Sequence, residues 1–128
     1  MQNFPDTVPT TDRLAQLQTR LAAFRDERQW AQFHTPKNLA SALVVEASEL
    51  LEPFQWLQAG ERAELSAAQL QAVSDEMADV LFVLICLANQ CEIDLEKSLK
   101  KNLDKKTSIP LDGIPFHPYY TVKDLIGV

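Results

Sequence analysis

Nine consecutive apolar residues, Val80 to Ala88, form the segment that most limits what this chain can fold into. The run is far shorter than the roughly 20 residues that a membrane-spanning helix needs. It lies within a longer helical pattern, and a helix that is apolar on every side has to be buried on every side. A chain of 128 residues is short enough for a single domain. We therefore expect this helix to be covered partly by the chain's own helices and partly by a second subunit.

Glycine is scarce, with three residues in the whole chain, whereas the helix formers leucine and alanine are abundant. This composition predicts an all-α fold with short loops. It also excludes the glycine-rich loops that bind phosphate in many nucleotide-binding proteins, so any phosphate has to be held in another way. The net charge of −6 disfavours binding to nucleic acid polymers or anionic membranes and suits the binding of cations.

Apolar residues recurring at spacings of three and four predict four to five helices. The four clear helices cover residues 12–30, 36–58, 68–91 and 94–106, with a polar connection at 61–70. Thr35 and Pro36 form a typical helix start, a capping hydroxyl followed by proline at the first helical position. Pro53 lies deep in the second helix, where it should remove the backbone hydrogen bond to the Glu49 carbonyl and kink the helix.

The ends of the chain differ in composition from this helical domain, which spans residues 12–107. Residues 1–11 contain two prolines and predict a loose N-terminal leader without the pattern of a signal peptide. Residues 108–128 contain three prolines and two glycines and predict an extended C-terminal arm. Cys86 and Cys91 are separated by about 7.5 Å along one helix, too far for a disulfide. Two free, buried thiols suit a reducing, cytoplasmic location.

Two acidic pairs occupy positions that continue the apolar faces of their helices. Glu46 and Glu49 are three residues apart on the second helix, and Glu76 and Asp79 repeat this spacing on the third. Like charges this close on a half-buried face repel each other, and burial adds to the cost. A divalent cation between the two helices would remove both problems. An all-oxygen cage is the ligand set of Mg²⁺, with Mn²⁺ as a substitute, rather than of zinc.

The same acidic spacing is also common on solvated helix faces, and that interpretation stays open on the pattern alone. Glu52 and Asp75, which neighbour the two pairs, are expected to be solvated. A di-iron centre in a helical bundle needs Glu-x-x-His pairs. Neither His34 nor His117 follows a glutamate by three residues. The remaining metal chemistry is that of Mg²⁺, which neutralises phosphate charge and activates water.

Several residues around the first acidic pair are candidates for binding a nucleotide. Trp30 and Trp56 frame the pair and can stack on a base, although both also suit a core. Positions near the start of the second helix, and lysines near the end of the fourth, favour phosphate oxygens. These further candidates are His34, Lys37, Asn38, Lys101 and Lys105. A lysine-rich helix end is also commonly just solvated.

Two stretches of the sequence resemble one family. WAQFHTPKNLASALVVEASELLEPFQW, followed by DEMADVLFVLICLANQCEIDL, is similar to the MazG-like all-α nucleoside triphosphate pyrophosphohydrolases, and closest to their dCTP pyrophosphatase branch. The family pattern is ExxE, a spacer and ExxD. It stands here as Glu46-x-x-Glu49 and Glu76-x-x-Asp79, and the resemblance covers about residues 14 to 110.

The resemblance implies a helical bundle completed by pairing of identical subunits, as a homodimer or a dimer of dimers. It implies Mg²⁺ held by the four acids, with Trp30, His34 and Trp56 lining the nucleotide pocket. The implied reaction splits a deoxynucleoside triphosphate, dCTP or a related one, between the α and β phosphates as part of nucleotide-pool house-cleaning. We expect Glu46 and Glu49 to be catalytic, with Glu49 activating the water. The alternative is a non-catalytic helical dimer that acts as an interaction or regulatory module.

Overall fold

A computed structural model describes residues 13–108, and the predicted leader and almost all of the predicted arm lie outside them. The described residues form four α-helices and two 3₁₀ turns and contain no strand, which confirms the all-α prediction for this part of the chain. The helices are α1 (Arg13–Glu27), α2 (Pro36–Leu51), α3 (Ala67–Gln90) and α4 (Leu95–Lys106). The 3₁₀ turns, Glu52–Phe54 and Arg62–Glu64, lie between α2 and α3.

Helix α2 starts as the sequence predicts and ends earlier. The side chain of Thr35 accepts a hydrogen bond from the Asn38 N–H at 3.2 Å, and Pro36 is the first helical residue. The prediction of a kinked helix that continues to residue 58 is wrong. Because Pro53 has no N–H to continue the helical ladder, the α-helix stops at Leu51 and the chain tightens into a 3₁₀ turn.

Helix α1 also ends before its predicted boundary at Trp30. Gln29 adopts a left-handed backbone conformation with φ of 56°, which an α-helix cannot contain. The N–H of Trp30 then donates to the Arg25 carbonyl at 3.0 Å and closes the helix end. Residues 28–35 therefore form a loop at the end of α1 instead of a last helical turn.

The described core is small and lies mainly between α2 and α3. Leu39 of α2 is buried with three residues of the predicted apolar run, Ile85, Cys86 and Ala88. Helix α1 packs on the same α3, whereas Leu81 and Phe82 remain 42% and 37% exposed. Among residues 13–108, α1 and α2 therefore cover only part of the apolar run.

The cysteines are both free, as predicted, but only one of them is buried. Cys86 lies in the core, and Cys91 is exposed just after α3, so the prediction of burial is wrong for Cys91. Cys91 lies beyond the last helical residue, Gln90, and the next residue, Glu92, has a left-handed φ of 54° that does not continue the helix. Across residues 13–108, none of the helices combines the length and apolarity that crossing a membrane requires.

The described residues belong to two compact units. The first extends to Glu96 and contains α1, α2, α3 and the first two residues of α4. The second starts at Lys97, and its described part is the rest of α4 and the turn that follows. Within this second unit Leu99 and Leu103 are 57% and 53% exposed.

Candidate metal centre and nucleotide site

Three carboxylates from two helices meet at one point. Glu46 and Glu49 lie one turn apart on α2, and Glu76 comes from α3, which packs against α2. Each residue offers one carboxylate oxygen, and these oxygens all lie within 4.8 Å of one another. Because each of the three side chains is only partly exposed, their like charges are held together away from full solvation.

Two of the carboxylate oxygens in this cluster have no protein partner. The Oε2 atoms of Glu46 and Glu76 are buried and accept no hydrogen bond. Burial raises the pKa of Glu46 above its ordinary value, and the charges of Glu49 and Asp79 raise it further. Burial likewise raises the pKa of Glu76, followed by the same two neighbouring charges. Buried acceptor oxygens without donors are costly, and a cation would satisfy them.

The donor set fits a hard divalent cation. All three groups offer carboxylate oxygen, which Mg²⁺ and Mn²⁺ prefer, and no nitrogen or sulfur ligand is part of the cluster. Three protein ligands also leave positions for water or phosphate oxygens, as is usual for Mg²⁺. The arrangement is therefore suited to bringing a metal and a phosphate chain together.

Asp79, the fourth predicted ligand, lies at the edge of this cluster. It is exposed and is not among the three residues whose oxygens come within 4.8 Å, yet its charge raises the pKa of both Glu46 and Glu76. Its role as a ligand stays a prediction. Glu52 and Asp75 are exposed as expected, but both charges also contribute to the raised pKa of Glu76. The local field is thus more negative than the three central acids alone would make it.

Trp30 and His34 lie together in the loop after α1, with their ring centroids 5.9 Å apart. Trp30 is 38% exposed and packs edge-to-face on Phe24, with centroids separated by 5.4 Å. Phe24 in turn contacts Phe82 of α3 at 6.0 Å. The Nδ1 atom of His34 is buried and has no hydrogen-bond partner among the described residues. The loop therefore presents an aromatic face beside an unsatisfied polar atom.

Part of this aromatic group was not predicted from the sequence, because neither Phe24 nor Arg28 was singled out. The Arg28 guanidinium carbon lies 3.5 Å from the centre of the Phe24 ring, which is a cation–π contact. No local pattern links Phe24 to Phe82, because they come from different helices. The only sequence signal was that Phe24, Arg28 and Trp30 fall within seven residues.

Trp56 is 86% exposed and follows the 3₁₀ turn after α2. The loop behind it is held by Glu64, another residue that the sequence analysis did not single out. Its carboxylate accepts hydrogen bonds from the backbone N–H groups of Gln58, Ala59 and Glu61 at 2.8, 2.9 and 3.2 Å. These bonds lower the pKa of Glu64. The Glu61-x-x-Glu64 spacing, a form of capping box, was the available signal.

The remaining predicted residues are exposed. Lys37 and Asn38 lie in the first turn of α2, where the Asn38 side chain also donates to the Phe33 carbonyl at 3.5 Å. Lys101 and Lys105 lie on α4 in the second unit. Phosphate contacts by these four residues stay predictions.

Known proteins are similar to this chain in sequence and in fold. Residues 42–114 match the model of the MazG-like family, and this span contains all four predicted acidic ligands. The dCTP pyrophosphatase 1 proteins of Homo sapiens and Rattus norvegicus are 40% and 38% identical to the chain over 98 residues. In both cases the match covers 75% of this chain and 56% of the relative. The chain thus matches only about half the length of these relatives.

A solved structure agrees with this assignment. The crystal structure of a pyrophosphatase from Archaeoglobus fulgidus superposes on the chain with a TM-score of 0.68 and 37% sequence identity. The superposition covers 75% of this chain and 90% of the archaeal one. The four-helix fold, the acidic cluster between α2 and α3 and these likenesses lead to one assignment: the chain belongs to the MazG-like family.

Proposed function

We propose that this protein is a Mg²⁺-dependent nucleoside triphosphate pyrophosphohydrolase that acts on dCTP or a related deoxynucleoside triphosphate. The observation that carries the proposal is the group of three carboxylates within 4.8 Å, two of which keep a buried oxygen without a partner. The names of the relatives, dCTP pyrophosphatase 1 and a pyrophosphatase, support the substrate class and the bond that is broken. The products are the nucleoside monophosphate and pyrophosphate, a reaction that serves nucleotide-pool house-cleaning.

In this proposal Glu46, Glu49, Glu76 and Asp79 hold Mg²⁺. The bound ion, with Mn²⁺ as a possible substitute, supplies positive charge that offsets the charge of the triphosphate. Glu49 accepts a proton from a water molecule while the water oxygen bonds to the α phosphorus. The bond from the α phosphorus to the bridging oxygen breaks, and pyrophosphate leaves with the electron pair. Glu46 is assigned to the catalytic group together with Glu49, because the two carboxylates lie one turn apart on the same helix and their oxygens come within 4.8 Å.

The nucleoside is assigned to the loop after α1 and to the turn after α2. Trp30 offers a half-exposed ring for stacking. His34 is assigned to the same pocket because its ring lies beside that of Trp30, with the ring centroids 5.9 Å apart. Trp56, which is almost fully exposed, has a free face for a second stacking contact. Lys37 and Asn38 are assigned to the phosphate chain as donors. Phosphate binding by Lys101 and Lys105 of the second unit stays a prediction from the sequence.

We further propose that the protein self-associates as a homodimer or a dimer of dimers. Large apolar side chains on both helices that carry the acids are exposed in the single chain. These are Val44, Val45 and Leu51 of α2, and Met77 and Leu81 of α3, which are 42–69% exposed. A stable monomer seldom leaves so much apolar surface in contact with water. Sedimentation equilibrium should give a mass of two or four chains, and a monomer at micromolar concentration would contradict this. The cytoplasmic location stays a prediction.

The enzymatic proposal is tested by measuring pyrophosphate release from a panel of deoxynucleoside and ribonucleoside triphosphates. We expect release with Mg²⁺, none in EDTA, and a loss of about 100-fold or more in kcat for Glu46→Gln. Asp75→Asn is the matched control, since it removes one exposed negative charge from α3 outside the three-carboxylate group. Failure to hydrolyse any nucleotide, or full activity in Glu46→Gln, would contradict the proposal.

The exposed apolar surface also favours a second candidate, a non-catalytic helical dimer that binds a partner. That function needs no metal. It predicts that Mg²⁺ leaves the melting temperature unchanged, because nothing binds the native state selectively. A metal titration followed by thermal unfolding therefore separates the two candidates without any assumption about the substrate.

A further inference from the structure

Gln90, the last residue of α3, connects three parts of the chain through its side-chain amide. Its Nε2 atom donates to the backbone carbonyl of Ala31 at 3.2 Å and also to that of His34. Its Oε1 atom accepts a hydrogen bond from Nη1 of Arg25 at 3.0 Å. The two N–H groups and the oxygen of the amide are thus all used. From this geometry we infer that Gln90 is a positioning residue for the nucleotide, an inference that rests on the proposed function.

The loop that Gln90 holds is the one that carries Trp30 and His34. It leaves α1 through the left-handed residue Gln29, whose conformation is unfavourable for a side chain with a Cβ. Within the loop, Phe33 and His34 donate to the Trp30 carbonyl at 2.9 and 3.1 Å, which forms a tight turn. These short-range bonds shape the turn but do not attach it to the helix core.

Gln90 adds an attachment from the helix that contributes most of the buried core among the described residues. Its helix contains Ile85 and Ala88, which are 2% and 3% exposed. Arg25, which holds the amide oxygen, is itself fixed by an ion pair with Asp26 at 2.9 Å, and its side chain is only 17% exposed. The amide group is therefore oriented from one side and presents both N–H groups to the loop.

The consequence of this attachment is the position of the His34 ring. The carbonyl of His34 is bonded directly by Gln90, so the ring is held beside Trp30 with its Nδ1 atom buried and unpaired. Gln90 does not contact the metal ligands. We therefore expect it to affect nucleotide binding, measured by KM, and not the chemical step at the metal centre, measured by kcat.

Asn89 provides a matched control one residue away. Its side-chain amide also joins α3 to α1, because Nδ2 donates to the Gln18 carbonyl at 2.9 Å and Oδ1 accepts from Gln18 Nε2 at 3.2 Å. Within the described residues, the Asn89 side chain makes no hydrogen bond to the loop of residues 28–35. Gln90→Glu and Asn89→Asp are the same amide-to-acid change, and each removes the N–H groups that donate to backbone carbonyls.

The experiment compares steady-state kinetics and melting temperatures of the two variants on dCTP with Mg²⁺. We expect Gln90→Glu to raise KM about tenfold and leave kcat within about twofold, whereas Asn89→Asp lowers the melting temperature without raising KM. Equal KM values in both variants, or a loss confined to kcat, would overturn the inference. Gln90→Met, which removes all three bonds without adding charge, should reproduce the KM effect and serves if Gln90→Glu does not fold.

A readout independent of activity separates this inference from the proposed function. Amide hydrogen exchange at Phe33 and His34 should be about tenfold faster in Gln90→Glu than in the wild type and unchanged in Asn89→Asp. Wild-type protein without activity on any nucleotide contradicts the proposed function and the kinetic role. Unchanged exchange in Gln90→Glu contradicts the attachment itself.

Discussion

Replacing Glu76 by glutamine should abolish most of the thermal stabilisation that Mg²⁺ gives to this protein. Without metal, the substitution should keep the melting temperature unchanged or raise it. Burial and the charge of Glu49 both disfavour the ionised form of Glu76 there, and glutamine at position 76 carries no charge. With metal, the substitution removes one of three converging oxygens. A loss of stability that appears only with Mg²⁺ is not what a general folding defect would produce.

The size of the effect follows from linkage. At a Mg²⁺ concentration 100 times the dissociation constant, binding adds about 2.7 kcal/mol to the free energy of unfolding. For a domain of this size, that corresponds to a rise of about 10–20 °C in melting temperature. Losing one carboxylate ligand should weaken Mg²⁺ binding about 100-fold, which equals the largest loss typical when a residue that hydrogen-bonds to a metal ligand is removed. At the same Mg²⁺ concentration, the variant would then gain only about 2–3 °C.

The assay is thermal unfolding followed by circular dichroism at 222 nm over a Mg²⁺ titration. Asp75→Asn is the control, since Asp75 precedes Glu76 on α3, carries the same charge and is bonded instead to Gln71 at 2.9 Å. It should keep the Mg²⁺-dependent rise. A full rise in Glu76→Gln, or an equal loss in Asp75→Asn, would refute the assignment of Glu76 to the metal centre.

Three further predictions concern acid stability, the core and the thiols. Backbone N–H groups lower the pKa of Glu64, so the stability that its carboxylate adds is present at neutral pH and is lost as the pH falls through that lowered pKa. The difference in melting temperature between the wild type and Glu64→Gln should therefore disappear in acid. A difference that stays constant with pH would contradict this. Ile85→Ala should cost about 2–5 kcal/mol in urea unfolding because the side chain is 2% exposed, and a cost below about 1 kcal/mol would contradict its place in the core. Iodoacetamide should label the exposed Cys91 in the native protein. It should label Cys86, which is buried and whose pKa is raised by burial, only after denaturation. Rapid labelling of both cysteines in the native protein would contradict the burial of Cys86.

The parts of the fold that local patterns determine were predictable from the sequence. The Thr35–Pro36 start of α2 depends on two adjacent residues, and the structure confirms it. The i,i+3 spacing placed Glu46 and Glu49 on one helix face, and the same apolar phase on α3 brought Glu76 to meet them. Periodicity sufficed because α2 and α3 pack directly against each other.

What the sequence did not predict depends on contacts between distant segments or on unusual backbone angles. The bonds of Gln90 to Ala31 and His34 join residues 59 and 56 positions apart, and a glutamine at a helix end has no local signature for such a role. The left-handed conformation of Gln29 lacks the glycine that commonly marks it, so α1 was predicted too long. A proline within a helical pattern can either kink the helix or end it, and the sequence alone does not decide between these outcomes. At Pro53 the α-helix ends, with Leu51 as its last residue.

In the function proposed for this protein, a metal centre built by the α2 and α3 carboxylates cleaves a nucleoside triphosphate between its α and β phosphates. This cleavage can be followed directly by ³¹P NMR of dCTP incubated with the protein and Mg²⁺. We expect dCMP and pyrophosphate to appear in equal amounts, with neither product formed in EDTA. Formation of dCDP and inorganic phosphate, or no change in the dCTP signals, would contradict it.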